Sequence, residues 1–148
     1  MRKALYVSEG LPNDDVNKAS TYLNVCVLFS QVARHDLGYR YGEKALRLLL
    51  RLNEERESET GAKDHNLLTS LAIAYHNCGV ECEYLKLFSE AVSFYARGLE
   101  VCSHELGEAN QLIATLRKSH ALASRLQREH AERIEHSPER VRNIRLQR

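Results

Sequence analysis

Apolar residues recur every three or four positions along almost the whole chain, and no stretch alternates apolar with polar. That spacing places them on one face of an α-helix and excludes half-buried strands. Five stripes stand out. They are Tyr22, Val25, Cys26, Phe29 and Ala33; Gly38, Tyr41, Ala45, Leu48, Leu49 and Leu52; Leu68, Leu71, Tyr75, Cys78 and Cys82; Phe88, Ala91, Val92, Tyr95, Leu99 and Cys102; and the narrower Leu112, Leu116, Ser119, Ala123 and Leu126. The breaks between them fall on stop and start signals: Gly10-Leu11-Pro12-Asn13, Thr60-Gly61, Asp64 or Asn66 as a cap, Gly107, and Ser137-Pro138. The chain reads as all-α.

The helices repeat as pairs. Tyr22-x-Asn24 returns as Tyr75-x-Asn77, Phe29 as Cys82, His35 as Phe88, Gly38 as Ala91, Tyr41 as Phe94, and Ala45-Leu46 as Gly98-Leu99. Each partner lies 53 positions further on, so the chain carries a duplicated helix–turn–helix unit. Ala4-Leu5-Tyr6-Val7 is in phase with the same pattern and reads as the end of an earlier, truncated second helix.

With 148 residues, 43% hydrophobic and 28% charged, the composition is that of a folded domain, and no apolar run reaches bilayer-spanning length. The opening ten residues hold too short an apolar stretch for a secretory signal. The net charge of +1 conceals a division: residues 1–116 carry 12 basic and 16 acidic groups, residues 117–148 carry 9 basic and 4 acidic. Cys26, Cys78, Cys82 and Cys102 sit inside helical stripes and read as reduced, buried thiols of a cytoplasmic protein. Cys78 and Cys82 lie one helical turn apart with His76 near, but not on the knuckle that zinc sites favour, so no metal is expected.

Residues 72–103 resemble a tetratricopeptide repeat without a gap. Tyr75 stands at the large position of the first helix and Gly79 at the small one; Phe88 opens the second helix, with Ala91 at the close crossing, then Tyr95 and Gly98-Leu99. Cys78 and Cys82 depart from the usual residues. Residues 19–50 fit less well, with Cys26, Gly38 and Gly42 at variant positions. The steps between units exceed the usual roughly 34 residues, and Leu106-Gly107-Glu108-Ala109-Asn110 is similar to the link in the extended repeats of kinesin-light-chain-like proteins. The resemblance implies a solenoid of antiparallel helix pairs: residues 1–12 close a preceding repeat, 13–60 form a unit with an extended second helix, 64–106 a second unit, 108–135 a capping helix, and 137–148 a basic arm.

By the motif's register the first helices line a groove, with Ser20, Leu23, Asn24, Val27, Ser30 and Gln31 followed by Ile73, His76, Asn77, Val80, Glu83 and Tyr84. The named partner-binding set is Leu23, Asn24, Val27, Gln31, His76, Asn77, Val80 and Tyr84. Asn24 and Asn77 either hydrogen-bond a ligand backbone or bond within their own repeat. The basic groove positions of members that clamp carboxylate tails are Ser20, Leu23, Val27, Ile73 and His76 here, so an apolar peptide or a partner helix is favoured.

No phosphate loop, nucleophile elbow, metalloprotease motif or paired carboxylate cluster occurs, so neither an enzyme nor a cofactor is expected. The expected role is a non-enzymatic scaffold in a larger protein assembly. Analogy with kinesin-light-chain-like proteins suggests a microtubule-associated, ciliary or axonemal setting with tubulin or axonemal proteins as partners. The alternative is a structural subunit of a ribonucleoprotein held by Arg140, Arg142, Arg145 and Arg148. Nucleic acid is disfavoured because no aromatic follows Tyr95 to stack on bases.

Overall fold

The computed structural model describes residues 12–137, and among them only α-helices are found, five in number. They are α1 (Pro12–Gln31), α2 (His35–Thr60), α3 (His65–Tyr84), α4 (Phe88–Leu106) and α5 (Gln111–Glu135). The segment read as the end of an earlier helix, residues 1–11, and the arm bearing Arg140, Arg142, Arg145 and Arg148 lie outside the described residues.

Local chemistry sets the boundaries. Asp64 caps α3 by accepting hydrogen bonds from the backbone N–H groups of Asn66 and Leu67, and Asn110 caps α5 by accepting from Leu112 N–H. Gly61 ends α2 in the left-handed conformation, φ 67°, and its N–H donates to the Glu57 carbonyl. Ala33, read from its spacing as part of the first stripe, is instead exposed in the turn after α1 with φ 57°. The stripe ends at Phe29 because the chain must reverse within three residues to start α2 at His35.

The 53-residue offset is also an offset of backbone geometry. α1 and α3 are both 20 residues long and begin and end 53 positions apart, and α2 and α4 start at His35 and Phe88. Lys86, 53 residues after Ala33, has φ 62°. Arg34 N–H donates to the Phe29 carbonyl at 2.9 Å, and Leu87 N–H to the Cys82 carbonyl at 2.8 Å. Both turns are therefore Schellman closures built on a non-glycine residue. The pairs diverge downstream: α2 runs 26 residues against 19 for α4.

Each helix packs antiparallel on the next. Along α1 and α2, Asp15 meets Arg51, and Cys26 lies against Gly38 and Gly42. Along α3 and α4, Leu68 meets Cys102, Tyr75 meets Gly98, and Gly79 meets Tyr95. Phe88 of α4 meets His130 of α5. α1 also touches α3, and α3 touches α5, so the odd-numbered helices form one layer. The core runs through the stripes, with Leu49, Leu68, Leu71, Tyr75, Cys78, Cys82, Tyr95, Cys102 and Leu116 at most 1% exposed. Ala19, Gly42, Leu46 and Ile113 are buried too, beyond the stripes as read.

The close crossings use opposite solutions in the two units. In the second, Gly79 on α3 receives the Tyr95 ring of α4. In the first, the position 53 residues earlier is Cys26, and the equivalent of Tyr95 is Gly42. Small-against-large is kept while the helix that supplies the small residue changes.

Candidate interaction surface

The eight residues expected to line a groove lie on α1 and α3. Asn24, Val27 and Gln31 are exposed on α1, whereas Leu23 is half-buried and packs against the core. On α3, His76, Asn77 and Val80 are half-buried and Tyr84 is 61% exposed. His76 is turned inward: its Nε2 lies 3.3 Å from Ser119 Oγ on α5, and its ring is 5.8 Å from that of Tyr95. Burial lowers the His76 pKa from its ordinary value; a hydrogen bond donated to Asn77 and the charge of Glu83 oppose the shift.

Between α3 and α5 the surface opens into a cleft of about 390 Å³, lined by Val80, Glu83, Tyr84, Lys86, Phe88 and Leu126. Ser119, Leu122 and Leu126 recur at helical spacing on α5, and Leu122 is 42% exposed. One wall is braced from behind. Tyr95 donates a hydrogen bond of 2.6 Å to Glu83, and the His35 ring stacks on Tyr84 at 4.0 Å with 3° between planes. His35 Nδ1 in turn lies 2.8 Å from Oε2 of Glu81, the buried charged residue of the core at 2% exposure.

No protein-family model, curated protein or solved structure matches this chain.

Phe88 and Leu126, read from sequence as core stripe, are cleft wall; for Phe88 its place at the first position of α4 next to a turn was the available signal, and for mid-helix Leu126 there was none. A second surface escaped the sequence reading. Lys18 and Tyr22 of α1 face Lys44, Arg47, Leu48 and Arg51 of α2 across an open cleft of about 500 Å³, with Asp15 bonded to Arg51 at 3.1 Å. Lys44-x2-Arg47-x3-Arg51 is itself a helical spacing, and that signal was present in the sequence. Among the described residues, no three His, Cys, Asp or Glu side chains gather as a metal site. No helix there is long and apolar enough to cross a membrane.

Proposed function

We propose that the protein is a non-enzymatic interaction module of tetratricopeptide-like construction, which takes an apolar peptide or helix of a partner protein against its α1–α3–α5 layer. The observation that carries the reading is the cleft between α3 and α5, where Tyr84 stays 61% exposed beside Val80, Phe88 and Leu126. A cleft that combines these apolar side chains with Glu83 and Lys86 suits an amphipathic helix or peptide. The solenoid reading rests on the duplicated hairpins, the small-against-large crossings, and the succession of contacts along the odd helices. α5 suits a capping helix because residues 131–136 are exposed on every side. A microtubule-associated or axonemal setting is the cellular form of this proposal, and it rests on the resemblance alone.

Affinity capture with the intact chain, run beside Val80→Glu and beside Asn24→Ala with Asn77→Ala, tests the groove. Proteins retained by the wild type should be lost on Val80→Glu, at least tenfold in affinity for a purified partner. Identical recovery from a folded Val80→Glu variant would overturn the groove model. Retention on Val80→Glu but loss on the asparagine pair would move the binding surface from the α3–α5 cleft toward α1.

A further inference from the structure

The duplicated unit gives an internal control for every surface of the first hairpin. On α3, the face made by Ala74, Cys78 and Glu81 is 0 to 2% exposed because α2 lies across it, with Gly42 against Cys78 and Gly38 and His35 against Glu81. The same face of α1, 53 residues earlier, is Thr21, Val25 and Leu28, continued by Val32. Thr21 is exposed, Val25 half-buried, Leu28 60% exposed and Val32 66% exposed. Two aliphatic side chains one turn apart thus face solvent where the second unit holds a helix.

The same edge continues toward the start of α1 into the cleft between α1 and α2, and there its chemistry changes. Lys18, Lys44, Arg47 and Arg51 line that cleft with Asp15; Arg51 is bonded to Asp15 and Glu55 and Arg47 to Glu43, so the cationic character of the cleft rests on Lys18 and Lys44. The Lys44 ammonium sits over the Tyr41 ring at 4.8 Å and near the Tyr22 ring at 5.9 Å, so apolar and cationic surface are continuous. The edge is apolar at one end and basic at the other.

We infer that this edge is a docking site for an amphipathic helix of a partner protein, apolar in its first half and acidic in its second. The helix runs antiparallel to α1, as α2 does on α3. Its leading turns cover Val25, Leu28 and Val32, and its last turns place carboxylates over Lys18 and Lys44. From position 14 to the last residue of α1, Gln31, is about 26 Å at 1.5 Å per residue, and with Val32 in the turn beyond it this asks for a partner helix of roughly 18 residues.

Charge selects the occupant. Residues 1–11 bring Arg2 and Lys3 against Glu9, and residues 138–148 bring four Arg against Glu139, so neither segment has the sign the cleft would take. Among the described helices, α2 has the apolar-then-acidic course, ending in Glu54, Glu55, Glu57 and Glu59, but it is held between α1 and α3. A second copy of the chain therefore has no free described helix of this kind to offer. The inference uses the 53-residue register and not the α3–α5 groove, so either reading can fail without the other.

The probe is a synthetic 18-residue helical peptide with leucines at helical spacing in its first ten positions and four glutamates in its last two turns, labelled and titrated with the intact protein. A twin with lysines in place of the glutamates is the control. Binding of the glutamate peptide should weaken at least tenfold for the twin, for Leu28→Asp and for Lys18→Glu with Lys44→Glu, and should fall from 0.05 to about 0.3 M salt. Val80→Glu should leave it unchanged. Circular dichroism establishes that each variant is folded, which the exposure of Leu28, Lys18 and Lys44 favours. Equal binding of the twins, or full affinity in Leu28→Asp, overturns the inference. So does sedimentation showing a dimer that Leu28→Asp dissociates, which would assign the edge to a second copy.

Discussion

At the scale of single residues, the tightest constraint is the contact between Gly79 and Tyr95. A Cβ at position 79 would overlap the Tyr95 ring, which cannot swing away because its hydroxyl is held by Glu83 at 2.6 Å. Gly79→Ala should therefore cost about 1–3 kcal/mol, read as a lower urea midpoint with unchanged slope. Gly42→Ala should cost less, because its Cβ would meet the Cys78 and Cys26 sulfurs at 3.1 and 3.3 Å, where a small shift suffices. His76 gives a pH signature. Burial depresses its folded pKa below the ordinary 6.5, so the unfolded chain binds the extra proton first as pH falls. The contribution of neutral His76 is complete above about pH 6.5 and is lost progressively below it. His76→Gln should flatten the fall in urea midpoint between pH 7.5 and 5.5; an unaltered slope would refute the assignment.

At the scale of elements, the seam between α2 and α3 is set by one polar pair in an otherwise apolar contact. Glu81 is 2% exposed and His35 17%, with 2.8 Å between Oε2 and Nδ1. Gly38 is required beside them, since a Cβ there would stand 2.8 Å from Oε2. His35→Ala strands the buried carboxylate and should cost on the order of 3 kcal/mol in urea denaturation. His35→Phe with Glu81→Leu keeps the ring on Tyr84 and removes the charge, and should recover most of that loss. Persistent destabilisation of the double variant would show that the pair, rather than the volume it fills, stabilises the seam. None of this was legible in the sequence. Position 81 is simply a glutamate one residue before Cys82, and its equivalent in the first unit is Leu28. The start of α3, by contrast, was legible to within two candidates, Asp64 or Asn66, because a cap acts on backbone N–H groups two or three residues away; the structure assigns it to Asp64.

At the scale of the whole molecule, the four thiols report on cooperativity. Burial pushes Cys26 and Cys102 up to about 11 and Cys82 up to about 12, and raises Cys78 further. They lie in α1, α3 and α4, and each is at most 1% exposed. A thiol reagent at pH 8 should label none of them quickly in the native protein. Labelling should accelerate in parallel for all four as urea approaches the unfolding midpoint. Early labelling of Cys26 alone would mean that the first hairpin opens by itself, as a uncovered α1 edge would permit.

The sequence by itself determined that the chain is helical, where most helices stop, that two hairpins repeat at 53 residues, and that the cysteines are buried. Those properties depend on side chains three or four positions apart and on backbone groups next to them, so the local pattern suffices. The tertiary structure alone decided which helix supplies the small residue at each crossing, that Glu81 meets His35, and that Lys18 of α1 faces Lys44 and Arg51 of α2. It also turned Phe88 and Leu126 from core into cleft wall. These depend on how one helix is rotated and shifted against another, which packing volume fixes across distances the sequence does not display.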